Sequence, residues 1–403
     1  MNLPAVLAEI DRAFETEQIP WLEALVNQPG HTAAPDDVEA VAHMIETRLR
    51  MLDLQVEHIS SEHFADHRVY STPATGPTDK TLLLAGHCDT VYARSQGFLT
   101  FEREGNGRGD VIHGPGVLDM KSGLTVAIFA LQALHHAAPE FYRQLKLRFV
   151  CNTDEEVGSP GSRPLYDRLA KLSTAALVFE GGREEDQIIT DRKGTGGFRL
   201  EVRGREAHAG NQHAHGINAI HAIALLVPRL EQLTDYTAGT TVNVGTIRGG
   251  NAKNTVPGSA AIDIDVRITT AQAGRQFEAA LHELVDHPFQ DLPGLPAKFA
   301  EAAVTLTGSI RRWPMESTPA SEALRERYEH AAAAEALGTG RAPLQGGGSD
   351  ANLLAAQGVP CIDGLGPYGQ FMHSPKEWSS LASLQKRTRA LARFIFDSGS
   401  ARF

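Results

Sequence analysis

His87 and Asp89, Asp119, Glu155 and Glu156, Glu180 and His373 are the side chains whose types and spacing suit chemistry. They lie in His87-Cys88-Asp89-Thr90-Val91, Gly116-Val117-Leu118-Asp119-Met120-Lys121-Ser122-Gly123, Thr153-Asp154-Glu155-Glu156-Val157-Gly158, Val178-Phe179-Glu180-Gly181-Gly182 and Met372-His373-Ser374. His87, Asp119, Glu156, Glu180 and His373 read as the ligands of one two-metal centre. Carboxylates mixed with imidazole suit zinc, and two zinc ions about 3.5–4 Å apart can hydrolyse amides. Glu155 is left over, and such a centre needs a proton carrier. Adjacent carboxylates on an extended backbone point different ways, so one can bind a cation while the other faces the attacking water. His87 and Asp89 share one side of a strand end, where Asp89 can accept a hydrogen bond from a ligand imidazole and fix its tautomer. Asp119, with glycine on both sides, has two oxygens and can bridge two cations. Singly, His-x-Asp is a weak signal and Asp-Glu-Glu is commonly a solvated acidic turn. What carries the reading is their joint order, with successive groups following expected core strands.

The elements that must position these groups alternate in type. Thr81–Gly86 is a continuous apolar run, the pattern of a strand buried on both faces, and it ends at His87. Leu145–Cys151 leads to the acidic turn and Ala175–Phe179 leads to Glu180. Helices are expected over Asp36–Leu52, Ser122–His136, Glu322–Leu337 and at the C-terminus, with a strand over Val359–Ile362. The expectation is an α/β catalytic domain of three layers with a mostly parallel sheet, its ligands at the carboxyl ends of the strands. From about Thr195 the texture changes. Phe198–Val202, Thr240–Ile247 and Ala260–Ile268 alternate like half-exposed strands, with helices expected over Ile217–Leu233 and Ala271–His287. A smaller α+β domain at 193–310 is therefore inserted into a catalytic domain made of 1–192 and 311–403, and Arg311–Pro319 leads the chain back.

A chain of 403 residues, 42% hydrophobic and 22% charged, has the composition of a globular protein of two domains. The net charge of −11, without a Lys/Arg-rich run, argues against a nucleic-acid partner. The N-terminus lacks the features of a secretory leader, and no apolar run approaches the roughly 20 residues of a bilayer span. Cys88, Cys151 and Cys361 are odd in number and widely spaced, so buried thiols in a reducing, cytoplasmic setting are expected rather than disulfides.

These motifs, with Ala207-His208-Ala209-Gly210, resemble the dinuclear zinc exopeptidase and aminoacylase family, metallopeptidase family 20, over nearly the whole chain from Trp21 onward. That family includes glutamate carboxypeptidases, acetylornithine deacetylase, succinyl-diaminopimelate desuccinylase and aminoacylases. Gly347-Gly348-Ser349-Asp350 and Trp313-Pro314-Met315-Glu316 look most like the glutamate carboxypeptidase branch. The resemblance implies that one zinc takes His87, Glu180 and bridging Asp119, and the other takes Glu156, His373 and the same Asp119. Cobalt or manganese can replace zinc in such ligand sets. It implies Glu155 as general base, Asp89 orienting His87, and a cis peptide at Asp119-Met120. It further implies that the inserted domain serves dimerisation and lid roles in a homodimer. His208 would cross from the partner to the substrate carbonyl, Asn254 and Arg267 would hold the substrate carboxylate, and Gly348 would line the pocket. The expected activity is cleavage of an amide next to a free-carboxylate amino acid, in a short peptide or an N-acyl amino acid. An aminopeptidase or dipeptidase is the near alternative, and a non-catalytic module that keeps the fold is the distant one.

Overall fold

In the computed structural model, which describes residues 2–105, 110–290, 292 and 295–399, the apolar runs that precede the candidate ligands lie side by side. The sheet order is Gln55–Ile59, His67–Ser71, Leu147–Asn152, Thr81–His87, Ser173–Val178 and Cys361–Ile362. The four strands from Leu147–Asn152 to Cys361–Ile362 are mutually parallel, and His67–Ser71 runs antiparallel to both of its neighbours. Alternation along Thr81–His87 feeds two cores. Leu82 and Leu84 join the cluster around helix Ser122–Ala137, while Leu83 and Ala85 are equally buried on the opposite face. That second face is covered by Arg163–Lys171 and Asp350–Ala355, which completes three layers.

Helix Ser122–Ala137 fixes the site's floor. From Ser122 to Leu134 every residue is buried. A Cβ on Gly123 would lie 1.8 Å from the carbonyl oxygen of Phe179, so only glycine lets this helix seat against the strand end that precedes Glu180. The turn before the helix is irregular. Gly116 has φ +71°, and Asp119 and Met120 leave helical geometry at a cis peptide between them. By length and composition Val117–Ala137 could cross a bilayer, but it is buried in the protein from Val117 to Leu134. A helix apolar on every side belongs in a core when strands and helices surround it.

The chain divides into two compact units: Met1–Asp191 with Ser317–Gln345 and Ser349–Phe403, and Arg192–Glu316 with Gly346–Gly348. This division differs from the expected bounds at Arg192, at 311–316 and at Gly346–Gly348. Residues 311–316 belong to the smaller unit because strand Ala303–Arg312 runs on to pair Arg312 with Thr195, and Met315 then bridges Arg192. Gly348 also falls there rather than in the catalytic part; the Arg192 guanidinium donates to the Gly347 carbonyl at 3.2 Å. The smaller unit is an antiparallel sheet ordered Thr241–Gly249, Ser259–Ile268, Gly194–Arg203 and Ala303–Arg312. Helices Ala219–Glu231 and Ala271–Asp286 cover one face around Leu200, Ile262, Ile223 and Leu281. The other face carries Arg199, Asp263, Asp265 and Arg267.

Candidate metal centre

Five chain-distant side chains converge at the carboxyl ends of the parallel strands. Asp119 is the hub. Its Oδ1 lies 3.1 Å from His87 Nε2, and its Oδ2 lies 3.1 Å from His373 Nε2. Each imidazole then has a carboxylate of its own. Glu180 Oε1 is 3.8 Å from His87 Nε2, and Glu156 Oε2 is 3.1 Å from His373 Nε2. The donors of His87, Asp119 and Glu156 fall within 4.8 Å of one another. Glu155, the other half of the acidic pair, is buried beside them.

Protons bind this cluster tightly. Asp119 and Glu156 hold the His373 imidazole up to about 11. Burial, then Asp119, pushes Glu156 up to about 8, and the same causes raise Glu180 well above the carboxylate range. Burial would lower His87, but the carboxylates of Asp119 and Asp89 outweigh it and raise it. Asp119 moves the other way: burial opposes ionisation, yet both imidazoles favour it. A site this hungry for positive charge, built from oxygen and imidazole donors, fits divalent cations. The buried Glu156 Oε1 has no hydrogen-bond partner among the described residues, which also fits a ligand role.

The supporting contacts explain how the backbone delivers these groups. Asp89, expected from sequence to orient His87, contacts more than that ring. His87 Nδ1 lies 3.0 Å from the Asp89 main-chain oxygen and 3.3 Å from its carboxylate. The same carboxylate accepts from Thr32 Oγ1 at 2.7 Å and from the amides of Glu155 and Glu156, each at 3.2 Å. Asp154 accepts from Ser162 Oγ at 2.6 Å and from the Gly161 and Ser162 amides, pinning the other side of the acidic turn. His373 sits at φ +61°, a left-handed backbone rare for a non-glycine residue.

Sequence reasoning missed Glu377, Tyr92 and Lys121. Glu377 is fully buried and accepts from the Leu118 and Asp119 amides at 2.7 and 2.9 Å, and its second oxygen accepts from Tyr92. Lys121 is buried with Nζ donating to the Gln28 carbonyl at 2.8 Å, and burial lowers its pKa to about 7. The only sequence signal for Glu377 was its place four residues after His373.

The substrate-side candidates all lie in the smaller unit. His208 pairs with Thr255, next to Asn254, whose carbonyl accepts from the Ala209 amide at 3.0 Å. His208 Nδ1 accepts from the Gly210 and Asn211 amides at 3.1 and 3.0 Å. Arg267 forms a two-point pair with Asp265, at 2.9 and 3.2 Å, on the open sheet face.

A mostly parallel sheet whose strand ends gather a charge-hungry histidine and carboxylate cluster defines a metal-dependent hydrolase of the α/β class. Residues 83–397 match the profile of peptidase family M20/M25/M40, and the chain belongs to that family. It is 31% identical over 391 residues to carboxypeptidase G2 of Pseudomonas sp. (strain RS-16), covering 95% of this chain and 90% of the relative. It is 27% identical over 390 residues to succinyl-diaminopimelate desuccinylase of Variovorax paradoxus (strain S110), covering 90% and 93%. The fold matches aminopeptidase PepT from Bacillus cereus ATCC 10987 with a TM-score of 0.74 at 19% identity, over 94% of this chain and 97% of that one. It also matches a dinuclear metal-binding peptidase of the family from Bacillus subtilis, with a TM-score of 0.66 at 15% identity over 95% and 98%. The chain is a metallo-amidohydrolase.

Proposed function

We propose that this enzyme uses two zinc ions to cleave the amide next to a free-carboxylate amino acid, as a carboxypeptidase or an N-acyl-amino-acid deacylase. One observation carries the reading. Asp119 offers each oxygen to a different imidazole, and each imidazole has its own second carboxylate, so the cluster is two half-sites sharing one bridge. His87, Glu180 and Asp119 would hold one ion; His373, Glu156 and Asp119 would hold the other. Bound divalent ions supply a water of lowered pKa and polarise the scissile carbonyl. Glu155 takes the proton of the attacking water and returns it to the departing amine. Asp89 holds the main chain of that base and the imidazole of His87 in one frame.

His208 donates to the substrate carbonyl from a second copy of the chain in a homodimer. Its Nδ1 is taken by two amides, so the neutral ring carries its proton on Nε2, free to donate. The dimer reading is supported by strand Thr241–Gly249, which is a sheet edge and leaves Ile247 55% exposed. Arg267 and Asn254 hold the free carboxylate, and Gly348 lines the pocket; a forked guanidinium favours an anion over the free amine an aminopeptidase must hold. Three buried free cysteines are consistent with a cytoplasmic enzyme. The test is zinc-reconstituted protein offered N-acyl-L-amino acids, acyl-glutamates and free dipeptides, read by amino-acid release. Turnover of acylated substrates is expected; turnover of only those with a free N-terminus would defeat the reading.

A further inference from the structure

The structure assigns Glu377 a positioning role: one carboxylate clips together three segments that present the ligands. This inference rests on the reading of Asp119 as the shared metal ligand. The segment 117–121 leaves helical geometry at Asp119 and Met120, so the amides of Leu118 and Asp119 need partners outside it. Both are buried, and both donate to one oxygen of Glu377, at 2.7 and 2.9 Å. The other oxygen accepts from Tyr92, five residues past His87, whose hydroxyl also lies 3.0 Å from the Ser374 carbonyl. Glu377 itself is four residues past His373 and enters the core because the adjoining strand Trp378–Ser380 pairs with Asp110–His113.

The clip therefore joins the His87 segment, the Asp119 turn and the His373 segment without touching a reacting atom. Buried ligand-supporting groups of this kind commonly change metal affinity by 10–100-fold.

The experiment compares wild type with Glu377→Ala, Glu377→Asp and Glu377→Gln, all loaded with cobalt(II) and read by the visible absorption spectrum, by metal titration and by steady-state kinetics. In Glu377→Ala the cobalt bands should shift, affinity should fall by about 10–100-fold, and kcat should fall with KM within about threefold. Glu377→Gln keeps an oxygen for the two amides and should recover most of the spectrum. Glu377→Asp keeps the charge but withdraws it by one methylene, and should resemble Glu377→Ala; it serves the same purpose if the alanine variant does not fold. A merely structural role would lower the melting temperature and leave the bands in place. Folded alanine or aspartate variants with wild-type bands and titration overturn the assignment while the metal reading stands. A wild type that takes up no cobalt overturns both.

Discussion

The two units hold their functional candidates in opposite ways. In the larger unit His87, Asp119, Glu155 and Glu180 are buried, Glu156 is half-buried and only His373 is exposed among the candidates, and the main chain around them is tied by Asp89, Asp154 and Glu377. In the smaller unit His208 and Asn254 are exposed and Arg267 is 37% exposed, and His208 and Arg267 are held by neighbours two or three residues away. A frame built from the core suits bond-making, where small displacements are costly. A rim built from local contacts can change its preferences without disturbing the frame.

The largest effect should come from the frame. Glu155→Gln should cut kcat by about 10²–10⁴-fold with metal content unchanged; unaltered turnover would remove the assigned base. Chelation should come next, lowering the melting temperature by about 5–10 °C near pH 8.5. The sign with pH follows from the raised groups. His373 near 11 and Glu156 near 8 both lie above their unfolded values. The stability from protonating them is complete below those unfolded values, fades as pH passes 8, and is gone above 11. Metal-free protein should thus weaken from pH 6 to 9, while cations meet less competition from protons. Calorimetry should show the gap between loaded and chelated protein widening over that range, and a constant gap would break the link between charge cluster and metal.

The rim should respond more mildly. Arg267→Ala should raise KM for carboxylate substrates about 10–100-fold with kcat within about threefold, since a bond between charged groups contributes about 1.5–3 kcal/mol. A matching fall in kcat would move Arg267 into the frame. Asp265→Asn should be smallest. Its pair with Arg267 is largely exposed, so the melting temperature should stay within about 1 °C. KM should fall by no more than about threefold as the fork is released, and a rise would show that Asp265 holds Arg267 in place.

The frame was more legible in the sequence than its supports. Thr81–Gly86 and Ala175–Phe179 are apolar throughout because both faces of a parallel strand are buried, and such runs mark the residue that follows them. Glu377 carried no comparable mark. Its burial comes from pairing between Trp378–Ser380 and Asp110–His113, which are far apart in the chain, and no local pattern records that. Strand Ala303–Arg312 escaped for a different reason. It reads Ala-Val-Thr-Leu-Thr-Gly-Ser-Ile-Arg-Arg, with Gly308 at φ +106° interrupting the alternation. Missing it shifted the expected return point to 311. Arg267 was placed correctly on its strand, but its engagement with Asp265 depends on which side-chain rotamers meet, and spacing alone does not set them.

The reach of Asp89 has a consequence for how this enzyme tolerates change. One carboxylate senses the end of Thr81–His87 and the turn that follows Leu147–Asn152. A slight slide between those neighbouring strands, too small to unfold anything, would therefore swing Glu155, the proposed proton carrier, out of place. Core substitutions that drift this sheet should surface first as sluggish catalysts with ordinary melting curves.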